Sequence, residues 1–123
     1  MPPGEPVWQE SERMKTMTAD LKKELEAFAL NIRIGAVECI KSRGFGHIGG
    51  SLSVADTLAV LYGAVMQVNP ADPQDPDRDK LVCSKGHAGP AVYAALALKG
   101  FFPYITLIIA YRGSGIPCGN KRK

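Results

Sequence analysis

Leu81-Val82-Cys83-Ser84-Lys85-Gly86-His87-Ala88-Gly89-Pro90 passes, in ten residues, from a short apolar run through a glycine turn to a proline. The apolar run follows a charged loop and reads as a buried strand near 81–83, although periodicity alone does not separate so short a strand from a helical segment. Pro90 suits the first turn of a helix, where its missing N–H is not needed. Apolar spacing carries that helix to about Lys99, and Gly100 can close it in a left-handed conformation. Strand, loop and helix in this order form the building unit of an α/β fold, so the expected class is α/β, mostly helical, with one short strand.

Upstream, a long helix is expected from about Thr18 to about Lys41. Leu21, Leu25, Phe28, Ile32, Ala36 and Cys39 recur every three or four residues and mark one apolar stripe. Leu30, Ile34 and Val37 mark a second stripe on another face, and a surface helix needs only one. The second half of the helix is therefore expected to be covered from two sides, by its own fold or by a partner subunit. Gly44, Gly46, Gly49 and Gly50 then break the pattern within seven positions. Ser53 with Asp56 three residues on resembles a capping box, with Val54, Leu58, Leu61, Tyr62 and Val65 as the apolar stripe behind it. Pro70, Pro73 and Pro76 mark the loop that leads to Leu81.

These elements divide the 123 residues into three parts. Residues 1–17, with prolines at 2, 3 and 6, form an extended or disordered leader; 18–103 form the folded part; 104–123 form a tail of different character. Composition makes Tyr104 to Tyr111 a short strand, followed by glycine-rich, basic sequence expected to be disordered. The formal charge of +3 belongs to this tail, which carries Arg112, Lys121, Arg122 and Lys123 and no acid. The body has no basic face interleaved with aromatics, so nucleic acid is not an expected partner. Cys39, Cys83 and Cys118 are odd in number and far apart, against a disulfide framework or a zinc site. No apolar run reaches the ~18 residues of a membrane span. The expected setting is a reducing cytoplasm.

The chain has two histidines, His47 and His87, and each lies in a glycine-rich turn ahead of a helix. A histidine in a turn is ordinarily a surface residue. Two such turns, each leading into a helix, favour another reading. Helix N-termini present unpaired N–H groups and partial positive charge, which attract anions. Glycines let a phosphate approach the backbone. A neighbouring imidazole can donate to a phosphate oxygen or move a proton near neutral pH. The residues by themselves point to a phosphate-binding α/β enzyme. Neither loop has the spacing of a P-loop or of a dinucleotide-binding Gly-x-Gly-x-x-Gly.

Two stretches carry a resemblance that goes further. Gly46-His47-Ile48-Gly49-Gly50-Ser51-Leu52-Ser53 resembles the Gly-His-Pro-Gly-Gly-Ser-Leu-Ser segment near the start of transketolases. Arg78 to Ala91, forty positions between the histidines, resembles that family's second histidine segment, and the likeness continues to Pro103. The chain is thus identified as resembling the thiamine-diphosphate-binding N-terminal region of a transketolase, over about residues 18–103. The resemblance implies transfer of a two-carbon ketol unit between sugar phosphates, with thiamine diphosphate and Mg²⁺ as cofactors in the complete enzyme. It implies that His87 and Gly86 bind the diphosphate. It implies that His47 lines the substrate channel and assists proton transfer, as both a catalytic and a substrate-binding residue. Lys85 borders the second loop and is the weaker candidate. Ile48 stands where many members have proline, keeping apolar bulk but not the fixed φ.

The family's Gly-Asp-Gly segment, its downstream metal-binding Asn and its activating glutamate have no counterpart in this sequence, and no metal ligand is assigned. The tail from Tyr104 reads like a truncated or frame-altered product. The expectation is a fragment inactive alone, which pairs as a homodimer or with a complementing transketolase subunit. The alternative is a non-enzymatic fragment that associates with itself or with such a subunit.

Overall fold

A computed structural model describes residues 17–112. Four helices make up its frame: α1 (Ala19–Arg43), α2 (Gly49–Val60), α3 (Gly89–Lys99) and α4 (Tyr104–Arg112). A single π turn, Leu61–Val65, extends α2, and a 3₁₀ turn, Gly86–Ala88, precedes α3.

α1 is the hub, in contact with each of the other three helices. The Thr18 side chain caps its start by accepting a hydrogen bond from the Leu21 N–H at 3.1 Å, satisfying one of the orphan donors of the first turn. Gly44, at φ 91°, ends it and donates its N–H to the Ile40 carbonyl. The buried stripe is Leu25, Ala29, Ile32, Ala36 and Cys39. Against it lie Ala55, Leu58 and Ala59 from α2, Ala91, Ala94 and Ala95 from α3, and Leu107 and Tyr111 from α4. The many alanines let the axes approach closely. At the crossing of α1 and α3, a Cβ placed on Gly35 would come within 2.9 Å of Ala94 Cβ and 3.2 Å of the Tyr104 hydroxyl. Tyr104 donates to the Glu38 carboxylate at 2.7 Å, tying α4 to the same stretch of α1. Burial, then that carboxylate, pushes the Tyr104 phenol well above its ordinary pKa.

Two sequence expectations, the strands near 81–83 and over 104–111, are corrected here. No strand occurs among the described residues. Residues 81–83 are irregular, with Val82 87% exposed. A strand needs a neighbouring strand to satisfy its ladder, and the described part of the chain brings none beside this run. Tyr104–Arg112 is helical, burying Leu107 and Tyr111, one turn apart, and leaving Ile105 and Ile109 outside. Contact with α1 and α3 overrides the strand preference of its β-branched residues. Leu30, Ile34 and Val37 are 57%, 45% and 40% exposed, so the described residues cover α1 on one side, and the second side of the expected cover is left to a partner. The expected leader, apart from Met17, and the glycine-rich end of the tail lie outside the described residues.

The expected helix from about Ser53 also begins earlier. α2 starts at Gly49, and Ser53 lies inside it, donating to the Gly50 carbonyl at 3.2 Å rather than capping. Asp56 is engaged elsewhere, accepting both Arg33 guanidinium nitrogens at 3.1 and 3.0 Å. That hydrogen bond, then the cation's charge, holds the Asp56 carboxyl below its usual pKa. The proline loop is closed by Gln67 and Asp79. The Gln67 N–H donates to Asp79 Oδ2 at 2.7 Å, and the Asp79 N–H returns to the Gln67 carbonyl at 3.0 Å. This clamp sets where the chain leaves for the second histidine turn.

Gly35→Ala tests the crossing. Alanine favours a helix by about 1 kcal/mol over glycine, but overpacking typically costs about 1–3 kcal/mol. Ala94 Cβ has no rotamer with which to yield, so a net loss of about 1 kcal/mol is expected, read as a lower Tm by circular dichroism.

Cys39 is fully buried, and burial pushes its thiol up to about 12. At pH 8.5 its thiolate is roughly a thousandfold scarcer than that of an ordinary cysteine. Iodoacetamide is expected to label exposed Cys83 in the native protein and Cys39 only after unfolding, as read by peptide mass spectrometry. The sign follows from the raised pKa. Protonated Cys39 favours the fold at neutral pH, and that contribution falls away as pH rises from its ordinary value of 9.0 toward 12.

Candidate phosphate-binding site

The first turn runs from the C-cap of α1 to the start of α2. Gly44 at φ 91° and Gly46 at φ 151° place it in backbone conformations that side chains with a Cβ rarely adopt. The Arg43 guanidinium lies 4.8 Å from the centre of the Phe45 ring, a cation–π contact at the turn's entry. His47 and Ile48 follow, both exposed, and Gly49 opens α2.

The second turn is held from beneath. The Ala88 N–H bonds the Lys85 carbonyl at 3.0 Å, making the 3₁₀ turn that carries His87. Ala88 and Pro90 are fully buried and seat the turn on the core, while His87 stays exposed. Gly50 lies directly under it. A Cβ there would stand 3.2 Å from Lys85 Cε and 4.0 Å from the His87 carbonyl carbon and the Ala88 nitrogen. Gly50, in the first turn of α2, thus gives the second loop room to approach. Lys85 completes the junction by donating from Nζ to Ser53 Oγ, whose own proton goes to the Gly50 carbonyl.

The two imidazoles meet as a result. Their ring centres are 4.0 Å apart, with planes inclined at 38°. Both sequence-derived histidines therefore share one exposed surface at the N-terminal ends of α2 and α3. Gly86 sits in the 3₁₀ turn beside them. Lys85, the weaker candidate, proves to be the tie between the loops. Ser53, placed by its sequence in a capping box, is the other end of that tie. Nothing in the spacing of Ser53 and Lys85, 32 positions apart, reveals the bond; only the packing does. The surface offers two imidazoles, an ammonium with N–H groups to spare, and helix N-termini. This donor set suits a multiply charged anion. Among the described residues, no group of three or more His, Cys, Asp or Glu side chains is placed to hold a metal ion. Among them, too, no helix is long and apolar enough to cross a membrane.

Residues 25–118 match the family model described as transketolase, thiamine diphosphate binding domain. The chain belongs to this family. The match runs past Pro103 into the segment where the motif likeness had stopped. This transketolase-family chain is 54% identical over 80 residues to the 6-deoxy-6-sulfo-D-fructose transketolase subunit SqwG of Clostridium sp. (strain MSTE9), covering 65% of the chain and 29% of that protein. It is 36% identical over 97 residues to the transketolase of Treponema pallidum, covering 79% of the chain and 15% of that protein. Over 65 residues it is 45% identical to an apulose-4-phosphate transketolase subunit of Phocaeicola vulgatus, covering 53% of the chain and 23% of that protein. The chain spans less than a third of the length of each of these relatives.

The histidine contact has a direct spectroscopic consequence. With ring centres 4.0 Å apart, each imidazole lies within the ring current of the other. His87→Ala is expected to move the His47 Cε1–H proton resonance, and His47→Ala to move that of His87, in ¹H–¹³C spectra of the folded protein. Resonances that ignore each other's removal would show that the loops stand apart.

Proposed function

We propose that this chain forms the diphosphate-facing portion of a transketolase-type enzyme, which moves a two-carbon ketol unit from one sugar phosphate to another. The observation that carries the proposal is the His47–His87 pair, joined by the Lys85–Ser53 tie at the start of two helices. The residues present fit the diphosphate end of thiamine diphosphate. Gly50 leaves the space that seats the second loop, and the donors around it are cationic or can become so. When bound, the cofactor supplies the nucleophilic carbon and electron sink for the two-carbon unit.

The chain's own residues do the rest. His87 donates a hydrogen bond to a diphosphate oxygen, and Gly86 lets the backbone approach the same anion. Lys85 offsets part of its charge while holding the loops together. His47 faces the substrate and moves a proton to or from its carbonyl or hydroxyl oxygen, a step typically worth about 10²–10⁴-fold. Mg²⁺ would be held by residues outside those described, and a cytoplasmic setting suits the sugar-phosphate substrates. The complete site is assembled with another chain, as a homodimer or with a complementing subunit; two of the relatives are themselves named as subunits.

Two experiments test this reading. Alone, with saturating thiamine diphosphate, Mg²⁺ and a ketose phosphate, the 123-residue chain is expected to give no turnover in a coupled assay. Exposed contacts of the kind described contribute only ~0–1 kcal/mol each to holding the cofactor. The second experiment exchanges the matching 80-residue stretch of the Clostridium protein for this chain's and assays the chimera with its partner. His87→Ala in the chimera should raise the Kd for thiamine diphosphate. His47→Ala should lower kcat by about 10²-fold or more with little change in that Kd. A chimera indifferent to both substitutions would overturn the assignment.

A further inference from the structure

The Lys85 ammonium meets no opposite charge among the described residues. Its Nζ donates to Ser53 Oγ, a neutral acceptor, and no carboxylate among them pairs with it. An exposed lysine ordinarily leaves its ammonium in water, because ordering the long stem costs entropy that a neutral hydroxyl offsets poorly. Lys85 is nevertheless held at two points. Its stem crosses Gly50, where a Cβ would stand 3.2 Å from Lys85 Cε. Its tip meets Ser53, whose own proton goes to the Gly50 carbonyl at 3.2 Å and so leaves a lone pair for the ammonium. Ser53 lies on the exposed side of α2, one turn beyond Gly49. The ammonium is thus kept beside the start of that helix, on the surface that the two imidazoles share.

We propose, on the reading of this surface as a diphosphate site, that Ser53 is a positioning residue for anion binding and acts through Lys85. Ser53 touches no ligand itself. It orients the ammonium before a phosphate arrives. One N–H of the ammonium stays on Ser53 Oγ, and the others remain to donate to phosphate oxygens as charge-assisted hydrogen bonds. The long side chain is then ordered by the fold and not at the moment of binding, which removes part of the cost of association. Gly50 serves the same end, since its lack of a Cβ lets the stem cross the helix.

Inorganic pyrophosphate, titrated into the full chain at fixed ionic strength and followed in ¹H–¹³C spectra, tests this. The wild-type chain is expected to bind with a Kd on the order of millimolar, the Lys85 Cε and His87 Cε1 signals moving together. Ser53→Ala should weaken binding by about two- to tenfold. In that variant ¹³C relaxation should show Lys85 Cε mobile until pyrophosphate is added, whereas in the wild type it is ordered beforehand. The helical circular dichroism spectrum should be unchanged, since alanine suits an exposed helical position. Ser53→Thr, which keeps the hydroxyl, should retain wild-type affinity and wild-type order at Lys85. In a Lys85→Met background, itself weaker in binding, Ser53→Ala should have no further effect. If pyrophosphate does not bind the wild-type chain, or binds it indifferently to His87→Ala, the diphosphate reading fails and this inference with it. Three results would overturn the inference alone: binding that needs His87 but not Ser53; a Lys85 Cε equally mobile with and without the Ser53 hydroxyl; or a Lys85 Cε signal that pyrophosphate leaves unmoved.

Discussion

The close crossing of α1 over α3 constrains the rest of the structure. Gly35 meets Ala94 with no room for another carbon, and Tyr104 closes the same spot from α4. A single helix can then bury one stripe against three others. The alanines at 91, 94 and 95 keep α3 near enough for its preceding turn to come down on the N-terminal end of α2. The geometry of the histidine loops is thus inherited from packing well away from them.

The loops show how a flexible sequence becomes an ordered surface. Glycines at 44, 46, 49 and 50 would by themselves give a mobile connection. Buried Ala88 and Pro90 fix one loop to the core, and the Lys85–Ser53–Gly50 chain of hydrogen bonds fixes the other loop to the first. The imidazoles remain exposed and able to meet a ligand while their backbones are held.

The apolar surface is distributed in keeping with a chain that spans less than a third of its relatives. Val82, Ile105 and Ile109 lie open, as does the Leu30–Ile34–Val37 face of α1. Each was legible in the sequence as an apolar pattern. What periodicity could not say was which apolar positions this chain itself covers. That depends on partners in space, and the same ambiguity made residues 81–83 and 104–111 read as strands. A strand is defined by a neighbour, and no local property of Leu81-Val82-Cys83 states whether one is present.

The sequence by itself determined the helix limits near Thr18, Pro90 and Gly100, and placed the end of α1 near Lys41, two residues short of Arg43, because caps and breakers act through local backbone chemistry. It also determined the two histidine turns and their kinship with transketolases, because those motifs are contiguous. Only the tertiary structure decided that the rings lie 4.0 Å apart, that Lys85 and Ser53 join their loops, and that Tyr104–Arg112 is a helix. Those outcomes rest on contacts between residues tens of positions apart, and the close crossing of alanine- and glycine-lined helices sets them.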